Sequence, residues 1–185
     1  MKREFDELCH RPVRRVAVSA ALVGEIPELV RMAAVEIPSL AASEAAVLRV
    51  QEQNPESIWA FRRGTRLVGA YAMLLLNSRG CARLLAGEFD CATPPLACLS
   101  APGEVVAAIY KWAVVAPGLA TEGVNAMSRH LQGPLYATAN LYARSTASPA
   151  RRLIINVGFQ PTRQGSDLLV YVRMRNRAHV SPLAA

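Results

Sequence analysis

The hydrophobic pattern changes its period at Ile58, and this change restricts the chain to folds in which helices and strands share a core. Over residues 26–52, apolar residues recur every three or four positions, as on one face of a helix. Over residues 58–76 they form two strand-like runs separated by the turn Arg63-Gly64-Thr65. We therefore expect a mixed α/β fold of the α+β type.

Local signals predict a strand and two helices in the first third of the chain. A short strand is expected at residues 13–18, where three valines are interrupted by Arg14 and Arg15. The first helix is expected from Ile26 to Glu36, because Pro38 cannot continue it. The second is expected to begin at the N-cap candidate Ser43 and to reach Glu52.

The middle of the chain is predicted to form an antiparallel meander, with strands over residues 58–61, 67–76 and 81–86. Residues 89–103 contain three prolines and no clear period, which indicates a long connection or a lid.

Strands and helices are expected to alternate in the second half. They are an apolar strand at 105–116 that ends before Pro117-Gly118, a helix at 121–131, a strand at 135–141, a helix at 148–156 and a strand at 168–174. We expect one domain over residues 1–175 and a flexible C-terminal tail over 176–185.

Composition limits the classes of protein to consider. With 185 residues, of which 52% are hydrophobic and 19% charged, the chain can close one core without metals or disulfides. Its four cysteines have no Cys-x-x-Cys spacing, so reduced thiols and no metal site are expected. The apolar runs are shorter than the ~20 residues of a membrane span, and no signal-peptide pattern begins the sequence. A cytoplasmic protein without membrane contact is expected.

The net charge of +7 comes almost entirely from arginine. A basic face can attract nucleic acid, an acidic protein or the phosphates of a nucleotide cofactor, and charge alone does not choose among them. The sequence has no helix-turn-helix signal, no RNA-binding aromatic motif and no phosphate loop of the Gly-x-x-x-x-Gly-Lys kind. Specific nucleic-acid recognition is therefore not expected.

Two segments of the second half resemble the GNAT superfamily of acyl-CoA-dependent N-acyltransferases. The run from Ile109 to Pro117 looks like that family's fourth strand, which ends in Val-x-Pro. Residues 151–161 resemble its last helix and the closing Gly-Phe-x-Pro. The resemblance implies a mixed, mainly antiparallel central sheet flanked by helices, with splayed fourth and fifth strands.

The same resemblance implies acetyl-CoA or another acyl-CoA as co-substrate, and no metal. Strand amides in the splayed cleft would bind the pantetheine, and helix N–H groups would receive the pyrophosphate. The backbone groups implied at this site belong to Val114, Val115, Ala116, Gly118, Gly123, Val124 and Asn125.

The chain departs from the family at two motifs. The pattern Arg/Gln-x-x-Gly-x-Gly/Ala falls on residues 120–125, where Gly123 alone agrees and Glu122 adds a negative charge. Arg129 or Arg151 could supply the basic group instead. The tyrosine that many members use as general acid falls at Ile154.

Other residues are candidates for the catalytic roles. Tyr142 is the candidate general acid, although a tyrosine there can equally be an edge residue, and Ser145 could orient the thioester. Glu88 or Asp90 could act as general base, and a water relay is the alternative.

Three hypotheses follow. The leading one is acyl transfer to an amine on a small molecule or a protein. The second is a non-catalytic module that binds a ligand or a protein through the same cleft, and the third is a basic adaptor unrelated to coenzyme A. The apolar residues of the first two helices suit a bulky substrate, a homodimer interface or core packing, so acceptor, acyl length and oligomeric state stay open.

Overall fold

A computed structural model describes residues 15–37, 42–144, 148–163 and 166–173. Within these ranges seven strands form one sheet, in the spatial order β1-β2-β3-β4-β5-β7-β6. The strands are β1 (Ala17–Ala20), β2 (Ile58–Arg63), β3 (Arg66–Leu76), β4 (Ala108–Val115), β5 (Asn140–Arg144), β6 (Gln160–Pro161) and β7 (Leu168–Tyr171). The β4–β5 pair is parallel and the other neighbouring pairs are antiparallel. The expected mixed, mainly antiparallel sheet is confirmed.

The described α-helices are α1 (Ile26–Glu36), α2 (Glu44–Gln53), α3 (Ser78–Ala86), α4 (Thr121–His130) and α5 (Ser148–Asn156). Helix α1 carries Pro27 in its first turn, where a missing N–H costs nothing. Helix α2 begins as predicted, because the Ser43 hydroxyl accepts a hydrogen bond from the Ala46 N–H at 3.2 Å. None of the described helices is long and apolar enough to cross a membrane.

The strand expected at residues 81–86 is wrong, because these residues belong to helix α3. The Asn77 side chain accepts a hydrogen bond from the Gly80 N–H at 2.9 Å and caps the helix start. Gly87, at φ +79°, ends the helix in the left-handed conformation that glycine tolerates. The third strand of the meander is therefore β4, which pairs with β3.

Other boundaries also shift. The strand expected at 135–141 is β5, which begins only at Asn140 because a series of turns occupies the preceding residues. The strand expected at 13–18 is β1, which begins at Ala17, while residues 13 and 14 lie outside the described part. The last strand ends at Tyr171 rather than 174, and the expected tail also lies outside the described residues.

Residues 89–103 form a connection fastened to the end of β3. Their regular structure is limited to a 3₁₀ turn at Leu96–Cys98 and a bridge between Leu76 and Leu99. The Ser100 N–H donates to the Leu75 carbonyl at 2.7 Å. Because residues 89–103 are hydrogen-bonded to the sheet, they fit the prediction of a connection better than the prediction of a lid.

The sheet has helices on both sides. Leu74 of β3 packs with Val50 of α2 and Leu84 of α3, whereas its neighbour Met73 packs with Met127 of α4. Adjacent residues of a strand point to opposite faces, so these clusters lie on opposite sides of the sheet. We call them the α1 face, which α1, α2 and α3 cover, and the α4 face.

Candidate functional site

Strands β4 and β5 separate halfway along β4. They pair from Ala108 with Asn140 to Lys111 with Ala143, and the register ends there. From Ala113 to Val115, β4 continues in register with β3. Among the described residues, this half of β4 has no strand on its other side, so the expected splaying is confirmed.

A tight turn joins the free end of β4 to helix α4. Gly118 adopts φ +54°, with open space where a side chain would begin. The Thr121 hydroxyl donates back to the Gly118 carbonyl at 3.2 Å. A 3₁₀ turn at Gly118–Ala120 runs into α4, and the Ala120 N–H donates to the Pro117 carbonyl at 3.1 Å. The Ala120 side chain cannot cap the helix, so the N–H groups of its first turn have no side-chain acceptor from the N-cap residue.

Packing against the sheet explains why residue 123 is a glycine. A Cβ on this residue would lie 2.5 Å from the Phe61 ring, which fills the space between β2 and α4. Gly69 of β3 makes room for the same ring, with a Cβ distance of 2.9 Å. The glycine at 123 therefore lets α4 lie close to the sheet, whereas Gly118 leaves backbone open to solvent.

Two of the charged residues that the sequence associates with the phosphate site have partners elsewhere. The Glu122 carboxylate accepts a hydrogen bond from the Val16 N–H at 3.3 Å, which directs it toward the start of β1. Arg151 donates to the Ser166 carbonyl at 3.1 Å. Arg129 lies exposed in the last turn of α4, at the opposite end of the helix from the turn.

The other implied cofactor residues are distributed around this opening. Val114 and Ala116 are half-buried and Val115 is buried on the free half of β4, while Val124 is half-buried and Asn125 exposed on α4. The structure thus gathers the free strand end, the turn and the helix start into one region.

An apolar pocket adjoins this region on the α1 face. Its volume is about 410 Å³, which includes the part open to solvent, and only a small part is enclosed. Its walls include Leu29, Val30, Ala33, Val47, Trp112 and Val115. Trp112 is the extra residue where the β3–β4 register shifts, a bulge that lets β4 change direction at the pocket. All lining residues are apolar, so the pocket suits an uncharged aliphatic group.

Tyr142 lies on β5 and not after it as expected. Its ring is buried on the α1 face, and its hydroxyl lies near the Cys81 thiol of α3. Burial raises the pKa of Tyr142. Its register partner Tyr110 lies near Cys91, so the two tyrosines adjoin two thiols that sequence reasoning did not associate with them.

The remaining catalytic candidates are less well placed or lie outside the described residues. Glu88 is exposed after α3, and the Asp90 carboxylate accepts from the Ala92 N–H at 2.8 Å within its own loop. Ser145 lies outside the described residues. Ile154 of α5 packs against a small cluster that contains Ala143 and Phe159.

Lys111 is a chemically distinctive residue that sequence reasoning missed. It is the last β4 residue paired with β5, and its ammonium lies over two aromatic rings, 5.7 Å from the Tyr71 centroid and 5.2 Å from that of Phe159. Burial lowers the pKa of Lys111. The signal available in the sequence was that Lys111 is an isolated charged residue within an apolar strand.

Comparison with known proteins yields matches in structure alone. No protein-family model and no curated protein matches the sequence. Ard1 from Thermoplasma volcanium is similar in structure, with a TM-score of 0.52 and 16% identity over 84% of this chain and 94% of that one. A second similar structure is described as histone acetyltransferase HPA2 and related acetyltransferase from Corynebacterium glutamicum, with 16% identity, the same coverage and a TM-score of 0.46. At this identity, the likeness to Ard1 is one of fold.

Proposed function

We propose that this chain, which has the fold of the GNAT acyltransferases, binds an acyl-CoA at the β4–β5 opening and transfers the acyl group to an amine. One observation carries the proposal: the half of β4 without a β5 partner leads, through a short turn, into a helix whose N-cap has no polar side chain. Strand peptide groups and helix N–H groups are thereby available to one elongated ligand.

The opening fits the chemistry of such a ligand. Those peptide groups of Val114, Val115 and Ala116 that face away from β3 would hydrogen-bond the pantetheine amides. The pyrophosphate would lie at the turn and the start of α4, from Gly118 to Asn125, where the helix dipole favours an anion. The Val16 contact of Glu122 turns its carboxylate toward β1 and so reduces the expected repulsion.

Transfer would proceed by direct attack of an uncharged amine on the thioester carbon. A carbon–nitrogen bond forms and the carbon–sulfur bond breaks, while strand N–H groups would stabilise the oxyanion. The thiolate that leaves needs a proton. The role of Tyr142 as donor of this proton stays a prediction, and the Tyr142→Phe variant tests it.

The pocket on the α1 face supports a finer statement about the substrate. Its apolar walls lie against Trp112, Ala113 and Val115 of the free half of β4, next to where the thioester would lie. We propose that it receives an aliphatic group adjoining the reacting carbonyl, from either the acyl chain or the acceptor.

A second function has support of its own. Ile154, on which the resemblance places the family's tyrosine, packs with Ala143 and Phe159 and has no proton to donate. A module that binds acyl-CoA without turnover would retain the opening and lose the donor in this way.

The first experiment is a thermal-shift titration of the full chain with acetyl-CoA. A ligand that binds only the native state stabilises it by about 2.7 kcal/mol at 100 times Kd, which raises the Tm by roughly 5–10 °C in a protein of this size. Absence of a shift at millimolar acetyl-CoA would contradict both functions. Binding without thiol release over a broad panel of amines would favour the second.

Thr121→Glu makes the titration specific to the turn. An acidic residue in the first turn of α4 stabilises the helix by about 0.3–1 kcal/mol, yet it would repel a pyrophosphate bound there. We expect a Tm without ligand that is not lower than that of the wild type, and a loss of most of the acetyl-CoA shift. Ser128→Glu is the matched control, because it adds the same charge at an exposed position two turns along the helix. Equal loss in both variants would argue against a phosphate at the turn.

A further inference from the structure

Lys111 lies at the apex of the β4–β5 opening. It is the last β4 residue in register with β5, and the next residue, Trp112, begins the free half. Its side chain points to the α4 face, since its ammonium lies near the rings of Tyr71 and Phe159. A group at this apex lies where the two strands begin to separate.

The surroundings of Lys111 do not neutralise its charge. Among the described residues, the ion pairs are those of Arg62 with Glu25 and of Arg144 with Asp167, so no carboxylate pairs with this ammonium. Two aromatic faces at 5.2 and 5.7 Å compensate only part of the lost hydration. A half-buried cation without a carboxylate partner suits an anion that the protein binds only transiently.

The side chains of the cluster beside Lys111 have no proton to donate. Phe159 and Ile154 belong to the cluster that contains Ala143, the β5 partner of Lys111, and neither can donate a proton. The Tyr142 hydroxyl lies on the other face of the sheet, on the Cys81 thiol.

We propose that Lys111 is a catalytic residue that binds the sulfur of coenzyme A and protonates the leaving thiolate. This inference rests on the proposed function. As the carbon–sulfur bond breaks, its electron pair stays on sulfur, and a proton from the Lys111 ammonium forms the thiol. The attacking nitrogen releases one proton to water when the amide forms, and the lysine regains one from water, so charge and protons balance.

The test compares coenzyme A with desulfo-coenzyme A, in which hydrogen replaces the thiol, and needs no acceptor. Their dissociation constants are measured by calorimetry on the full chain from about pH 6.5 to pH 8.5, the ordinary pKa of a thiol. An ammonium beside the sulfur favours the thiolate. If the bound thiol pKa falls by one unit, the affinity of coenzyme A relative to the desulfo ligand should therefore rise about fivefold over this interval.

Two tyrosines and an arginine are described close to Lys111. Tyr171 has its ring centroid 5.6 Å from that of Phe159, and Arg173 lies near Tyr71. Burial raises the pKa of Tyr71, which therefore keeps its proton. The Arg173 guanidinium would favour a thiolate as an ammonium does, and Lys111→Met distinguishes the two because it removes the lysine charge alone.

Three variants separate the outcomes. In Lys111→Met, which keeps the length and removes the charge, the ratio should stay flat while desulfo-coenzyme A binds within about twofold of wild type. Lys111→Arg and Tyr142→Phe should both retain the rise. A flat ratio in the wild type, or a rise that survives Lys111→Met, overturns the role of Lys111 and leaves the proposed function intact. If neither ligand binds the wild type, both proposals fail.

Discussion

The Phe61 ring fills the space that a side chain on Gly123 would need, with a Cβ-to-ring distance of 2.5 Å. We therefore expect Gly123→Ala to destabilise the protein by about 1–3 kcal/mol through overpacking, despite the better helix propensity of alanine. Urea unfolding measures this loss. In a Phe61→Leu background the same substitution should cost less, because the smaller side chain leaves room for the methyl group.

Gly24→Ala is the control for this prediction, since nothing lies within 4 Å of its Cβ position. We expect it to change stability by less than about 0.5 kcal/mol. Equal costs for Gly123→Ala in the two Phe61 backgrounds would show that the ring is not what excludes the side chain.

The ion pair between Glu25 and Arg62 should make stability depend on pH. The Arg62 Nε donates to Glu25 Oε1 at 2.9 Å, and the Leu22 N–H donates to the same carboxylate at 2.7 Å. The Arg62 hydrogen bond lowers the pKa of Glu25. A lowered folded-state pKa contributes stability above the ordinary glutamate value, and this contribution is lost as the pH falls through the lowered pKa.

Glu25→Gln should therefore cost about 1–2 kcal/mol at neutral pH, where the half-buried pair is intact, and much less at pH values below the folded-state pKa of Glu25. Chemical unfolding at both pH values measures the difference. Glu28→Gln, at an exposed position of α1, should show no such pH-dependent loss. A Glu25→Gln cost that is the same at both pH values would contradict the pair's contribution.

Asn77 both starts helix α3 and holds the connection beside it. Its carbonyl oxygen caps the Gly80 N–H, and its amide donates to the Ala97 and Leu99 carbonyls at 3.1 and 3.2 Å. Asn77→Ala should cost about 2–3 kcal/mol, because the cap and two carbonyl partners are lost together. Ser43→Ala loses a cap alone and should cost about 1 kcal/mol. Equal losses in thermal unfolding would mean that the carbonyl contacts contribute nothing.

Asn77 also shows why part of the fold could not be predicted from the sequence. The signal Asn-Ser-Arg-Gly is typical both of a hairpin turn and of a helix start, and contacts with residues 97–99 lie too far along the chain to be foreseen. Helices α1 and α2 were predictable because their limits depend on adjacent residues, Pro38 and Ser43.

The candidate site also has a part that could be predicted from the sequence and a part that could not. Its backbone part could be predicted, because a strand that ends at Pro117-Gly118 before a helix is a local pattern. The environment of Lys111 could not be, since Phe159 comes 48 positions later and the end of the β4–β5 register is a property of the whole sheet. The partners of Tyr142 and Gly123 likewise come from distant segments, namely α3 and β2.

The apolar pocket should determine which aliphatic groups the protein accepts. Ala33 of α1 is buried and lines the pocket, so Ala33→Leu would place three more carbon atoms in it. If the acyl chain occupies the pocket, the variant should bind butyryl-CoA about tenfold more weakly and acetyl-CoA nearly as well as wild type, because only the longer chain competes with the new side chain. Calorimetry with both thioesters measures the change.

Val35→Leu is the control for the pocket, because residue 35 lies on the same helix and is 77% exposed. It should bind both thioesters as the wild type does. If Ala33→Leu leaves both affinities unchanged but alters the choice among amines with apolar side chains, the pocket belongs to the acceptor. If it changes neither the thioester affinities nor the choice of amine, the pocket is ordinary imperfect packing between α1, α2 and β4, and it has no part in recognition.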